Sequence, residues 1–139
     1  MSMIINHVLI RTTRLEQMKQ FLARIAGLEE GPRPPFQFSG AWMYSGGRPL
    51  IHLVEIGSPQ PGLTDYLGAS SAAAATGAGP VDHIAFSGAD YPALMERLHR
   101  QRAEFYERTV PESHEHQVFV EGPEGVRLEF MFADNKENL

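Results

Sequence analysis

The chain has 139 residues, 42% of them hydrophobic, a formal net charge of −5 and no cysteine. That length makes one ordinary domain, or two small halves sharing a core, and the apolar content argues against wholesale disorder. An acidic balance without a basic patch speaks against nucleic acid, the lack of Cys excludes disulfides and thiolate metal sites, and no apolar run nears the roughly 20 residues that cross a bilayer.

Taken in chain order, Ile4 to Ile10 reads as a strand with Ile5, His7 and Leu9 on one face. Its start lacks the charged head and apolar core of a signal peptide, so a cytoplasmic protein is expected. Thr12 and Thr13 offer N-caps for a helix whose stripe is Leu15, Met18, Phe21, Leu22 and Ile25, with Gly27 as its stop. A proline-rich loop, Gly31 to Pro35, follows. Phe36 to Phe38 and Ala41 to Tyr44 read as short strands, and Ser45-Gly46-Gly47-Arg48 as a hairpin turn. Leu50 to Ile56 is a strand with His52, Val54 and Ile56 on one face. Residues 57–80 are dense in Gly, Pro, Ser and Ala and read as a connector, with a turn of helix at Asp65 to Leu67.

The order then repeats. Val81 to Phe86 reads as a strand carrying His83. Asp90 caps a helix with Pro92 in its first turn, a stripe of Leu94, Leu98 and Phe105, and an end near Arg102. Tyr106 to Val110 and Gln117 to Val120 read as strands, Gly122 to Gly125 as a hairpin turn, and Val126 to Phe132 as the last strand, with Arg127, Glu129 and Met131 on one face. The tail from Asp134 is polar and expected to fray. The expectation is a single 1–139 domain of two modules, 4–56 and 81–132, joined by the 57–80 connector.

Spacing within this order points to chemistry. His7 and His52 lie 45 residues apart (52 − 7), and His83 and Glu129 lie 46 apart (129 − 83). Each of the four interrupts an apolar strand, where an unpartnered imidazole or carboxylate is costly. One divalent metal held by three imidazoles and a carboxylate would relieve all four. Any one strand histidine taken alone is more often a hydrogen-bonded core residue, and the matched spacing is what favours His7, His83 and Glu129 as ligands. His52 is either a fourth ligand or a group behind the ligands or facing substrate. His99 belongs on a solvated helix face, and His114 and His116 on a loop rim. No nucleophile elbow, phosphate loop or dinucleotide fingerprint is present.

The stretches Asn6-His7-Val8, Val81-Asp82-His83-Ile84-Ala85-Phe86 and His116 to Phe130 resemble the vicinal oxygen chelate superfamily, which includes glyoxalase I, methylmalonyl-CoA epimerase, extradiol dioxygenases and fosfomycin- and bleomycin-resistance proteins. The similarity runs from about Ile4 to Phe132. It implies an α+β fold of two βαβββ modules, whose sheets pair into a cup around a divalent metal (Fe, Mn, Ni, Co or Zn). It implies His7, His52, His83 and Glu129 as the matching ligand positions, with Glu129 also the candidate proton shuttle. Glyoxalase I and the epimerases usually carry Glu or Gln where this chain has His52, whereas the dioxygenase triad matches His7, His83 and Glu129. The resemblance further implies a homodimer and a small oxygenated substrate, with Arg33, Tyr106 and His116 as candidate contacts. Lyase or isomerase chemistry leads; an Fe(II) extradiol-type dioxygenase and a non-catalytic binding or resistance protein are the alternatives.

Overall fold

A computed structural model describes residues 4–67, 81–111 and 113–133. Most of the connector and the tail from Asp134 lie outside the described residues. The chain divides into two compact units, Met1–Ala75 and Thr76–Leu139.

The first unit runs β1 (Val8–Thr12), α1 (Leu15–Ala26), β2 (Glu29–Gly31), β3 (Gly40–Ser45), β4 (Arg48–Glu55) and α2 (Leu63–Leu67). Its sheet has the order β1-β4-β3-β2, with β1 parallel to β4 and the other pairs antiparallel. Helix α1 buries Leu15, Met18, Leu22 and Ile25 of the predicted stripe and leaves Phe21 half-buried. Gly27 ends it in the left-handed region (φ 73°), with Leu28 N–H reaching back to Leu22 O at 3.2 Å. Ser45 pairs with Arg48 across Gly46 and Gly47, both at positive φ (57° and 78°), the two-residue turn that matches strand twist.

The second unit runs β5 (Ile84–Gly88), α3 (Tyr91–Arg100), β6 (Phe105–Thr109), β7 (His116–Glu121), a 3-10 turn (Pro123–Gly125) and β8 (Arg127–Phe132). Its order, β5-β8-β7-β6, repeats that of the first sheet, again with one parallel pair, β5 and β8. Asp90 caps α3 as predicted, its side chain accepting from Ala93 N–H at 3.0 Å. Leu94 and Leu98 are fully buried, as are Val118, Val120 and Leu128 of the sheet.

Several boundaries differ from the sequence reading. Strand β1 starts at Val8, not Ile4; Ile4 and Ile5 are about four-fifths exposed (82% and 80%). Apolar β-branched residues favour a strand only where a partner supplies the ladder, and the described pairing begins at Val8 opposite Ile51. Likewise β5 starts at Ile84, so His83 precedes it. The second strand is Glu29–Gly31 rather than Phe36–Phe38. Prolines 34 and 35 remove ladder donors, and Phe38 packs instead with Val54, Ile56 and Leu63. Neither Thr12 nor Thr13 is the N-cap of α1. Arg14 holds that position, because Thr12 is still paired with Glu55 and its hydroxyl accepts from Arg14 N–H at 2.9 Å. Phe105 belongs to β6, not to the helix stripe; α3 stops at Arg100 and Arg102 turns left-handed (φ 53°).

Candidate metal centre

Register makes the two units comparable residue by residue. Val8 pairs with Ile51 and Ile84 with Leu128, so His7 and His83 each sit one residue before a first strand. Leu9 faces His52 and Ala85 faces Glu129, so His52 and Glu129 occupy the same place. On the other side Trp42 faces His52 and Phe119 faces Glu129. The near-equal spacings of the sequence therefore mark equivalent positions. Each unit brings its own two candidates into contact. Among the described residues, no three His, Asp or Glu gather into one metal-holding group.

In the second unit Glu129 is 3% exposed. A carboxylate buried so deeply must be satisfied. Gln117 Nε2 donates to its Oε2 at 3.0 Å, and His83 Nε2 lies 2.9 Å from its Oε1. On the far side of the ring, Asp82 Oδ2 accepts from His83 Nδ1 at 2.8 Å. That hydrogen bond holds the carboxyl of the exposed Asp82 below its usual range; some loss of solvation opposes it and Arg127 adds to it. An ionised Asp82 can only accept, so the Nδ1 proton is fixed there and Nε2 is the free donor atom. Nε2 and Oε1 lie 2.9 Å apart. With no proton between them, the two atoms are nitrogen and oxygen donors at roughly the 3 Å separation that neighbouring ligands of one ion adopt, given bonds near 2.1 Å. This pair fits a divalent metal.

The first unit differs. His7 is exposed, with Nδ1 2.7 Å from Asn6 Oδ1, the same arrangement as His83 and Asp82. His52 is buried at 5% exposure, stacked between Trp42 and His7, each ring centroid 3.9 Å away at 10°. Neither ring nitrogen of His52 makes a hydrogen bond of good geometry, although the Pro49 backbone lies close enough to act on the ring. Burial first, and the neighbouring His7 second, push its pKa below the ordinary value, against a weaker opposite effect of the Pro49 backbone. His52 is thus a neutral imidazole at pH 7, with one N–H and one in-plane lone pair unspent. Metal bonds lie in the plane of an imidazole ring, however. The His7 and His52 planes are nearly parallel, so their lone pairs do not converge on one ion in this stacked arrangement.

The proposed substrate contacts separate. Tyr106 is opposite Phe119, in the same cross-strand row as Glu129, and half-exposed (48%). Its ring stacks on Phe119 at 4.9 Å, with the Arg127 guanidinium over both rings. His116 alternates with Gln117 and so points to the opposite face of its sheet. There it meets Thr109 Oγ1 at 3.0 Å and Glu107 Oε1 at 2.8 Å. Arg33 donates to Phe38 O at 2.6 Å and lies over Phe36 and Phe38. A cavity of about 340 Å³ opens beside those two rings, lined also by Pro61, Asp65 and Tyr66, and touches none of the four candidates. The sequence reading gave no role to Trp42, Gln117, Asp82 or Arg127. Asn6 and Asp82, each one residue before a candidate histidine, were a visible signal; Trp42 and Gln117 required the register.

Against known families, the profile of the Glyoxalase/Bleomycin resistance protein/Dioxygenase superfamily matches residues 6–120. The chain belongs to that superfamily. Solved structures with the same fold include a glyoxalase family protein from Bacillus anthracis, 23% identical, covering 96% of this chain and 97% of that one, with a TM-score of 0.68. The fosfomycin resistance protein FosX from Listeria monocytogenes is 18% identical over all of both chains, with a TM-score of 0.65. Lactoylglutathione lyase from Agrobacterium tumefaciens is 15% identical over 92% of each chain, with a TM-score of 0.63. No curated protein matches the sequence. No described helix is long and apolar enough to cross a membrane.

Proposed function

We propose that this superfamily member is a divalent-metal-dependent enzyme of lyase or isomerase type, acting on a small substrate with two adjacent oxygens. His83, Glu129 and His7 would hold the metal, with His7 supplied by the same chain or by a second copy in a homodimer. The observation that carries the reading is the His83–Glu129 pair: a buried carboxylate and an imidazole 2.9 Å apart, each fixed from behind, by Gln117 and by Asp82. A divalent cation bound there supplies Lewis-acid stabilisation of negative charge on the substrate's oxygens.

The chain's own groups do the rest. Asp82 keeps the His83 proton on Nδ1, and Gln117 fixes the orientation of the Glu129 carboxylate. Glu129 Oε1, 2.9 Å from His83 Nε2, is the atom placed to take or return a proton. Tyr106 and Phe119 offer a flat aromatic surface in the row of Glu129, suited to an apolar portion of the substrate.

The stacking of His52 favours a second reading. A two-histidine, one-carboxylate set with open positions is also the ligand set of Fe(II) oxygenases. Oxygen uptake with Fe(II) and a catechol, compared with turnover of a 2-oxo hemithioacetal without oxygen, separates the two. Metal-independent ligand binding without any turnover would favour a sequestering protein and contradict both. The proposal predicts that protein purified without added metal carries metal, and that His83→Ala does not; full metal content in His83→Ala overturns it.

A further inference from the structure

The two half-sites differ at a pair of positions. The residue before the histidine is Asn6 in the first unit and Asp82 in the second. Two residues before the strand partner stands Leu50 in the first unit and Arg127 in the second. The neutral combination and the ionic one are each internally consistent, because Asp82 and Arg127 pair with each other: Arg127 Nη1 donates to Asp82 Oδ2 at 2.9 Å. The same Asp82 oxygen accepts from His83 Nδ1, and His83 Nε2 meets Glu129 Oε1. Arg127 is itself held from two sides. Its Nε lies 3.1 Å from Glu121 Oε1, and its guanidinium rests 4.7 Å from the Phe119 centroid. The relay Arg127–Asp82–His83–Glu129 therefore runs from an anchored cation to the buried carboxylate. His7 has only an amide oxygen behind it.

From this asymmetry we infer that Asp82 and Arg127 are positioning residues that make the second unit the anchoring half of the metal centre. His83 and Glu129 load the ion, and His7 is the weaker, exchangeable ligand. A carboxylate behind an imidazole fixes its tautomer and strengthens it as a ligand, and loss of such a partner costs about 10–100-fold in metal affinity. Arg127 acts through Asp82 by holding that carboxylate against the ring. The inference rests on the metal reading above, and its test separates the two.

The experiment titrates Co(II) into the metal-free full-length chain, reading its visible spectrum and measuring affinity by chelator competition, with a thermal melt of each metal-free variant. Asp82→Asn keeps the acceptor oxygen, removes the charge and makes the second unit resemble the first. It is expected to bind Co(II) about 10–100-fold more weakly with an unchanged melt. Arg127→Leu is expected to weaken binding in the same direction, and to add nothing in the Asp82→Asn background. Asn6→Ala is expected to change affinity less than Asp82→Asn. Wild-type affinity in Asp82→Asn, with binding lost in His83→Ala, overturns the anchoring role and leaves the metal reading standing. Wild-type affinity in His83→Ala overturns the metal reading itself.

Discussion

At the scale of single residues, His52 is the position whose chemistry changes most once its surroundings are known. Alone in a strand it is an imidazole on an apolar face, and spacing made it the partner of His7. In the fold it is the middle ring of a three-ring stack, buried and without a hydrogen bond of good geometry. An unsatisfied buried polar group costs about 1–3 kcal/mol, which a phenyl ring in its place does not incur. His52→Phe should therefore be neutral to stabilising, by about 1 kcal/mol in denaturant unfolding of the metal-free chain, because the gain is partly offset by the larger ring. A loss of 2 kcal/mol or more would mean that the imidazole has partners the stacked arrangement does not provide. Gln117 illustrates what residue-level reading misses. Its role lies in one cross-strand contact with Glu129, and nothing in its own sequence neighbourhood marks it.

At the scale of elements, the sequence reading succeeded where a local rule decides the outcome and failed where pairing decides it. The α1 stripe, its Gly27 stop, the Asp90 cap and the Gly46-Gly47 turn are all local. The start of β1, the identity of β2 and the place of Phe105 depend on which partner is present, which no short window contains. The turn offers a clean check. A side chain at Gly47 would meet nothing within 4 Å, so only its φ of 78° opposes substitution. Gly47→Val should cost about 1–2 kcal/mol of stability in urea unfolding, and Gly47→Asn clearly less, since Asn tolerates the left-handed region.

A second element-scale prediction concerns the tie between α3 and its sheet. Tyr91, the first residue of α3, donates to Glu107 on β6, which also accepts from His116 on β7. Burial, then the bond to Glu107, pushes the Tyr91 phenol up to about 12 from 10.0. A folded value above the unfolded one means that the tie's stability is present below pH 10 and is lost as pH rises towards 12. Burial would raise the Glu107 carboxyl, but the bonds from His116 and Tyr91 outweigh it and the net direction is down. That contribution is present above pH 4.5 and is lost as pH falls through the lowered folded value. Ultraviolet titration should show a tyrosine ionising at about 12 that Tyr91→Phe removes, and Tyr91→Phe should cost about 1–2 kcal/mol at pH 7. A variant that titrates like the parent would place the high-pKa phenol elsewhere.

At the scale of the whole molecule, the chain is one plan used twice. The strand orders β1-β4-β3-β2 and β5-β8-β7-β6 are the same, and the register places His7 with His83 and His52 with Glu129. That repetition was legible in the order of elements and in the spacings of 45 and 46. What the sequence could not convey is how differently the two copies use their equivalent positions. In one, a histidine is stacked and closed; in the other, a carboxylate is braced and paired with its histidine. The central claim is that His83, Glu129 and His7, and not His52, hold a metal. The measurement that tests it most directly is metal stoichiometry in protein purified without added metal and in four single variants. The account predicts metal in the parent and in His52→Phe, its loss in His83→Ala and Glu129→Gln, and a reduced content in His7→Ala. Full metal content in His83→Ala, Glu129→Gln or His7→Ala, or its loss in His52→Phe alone, would contradict it.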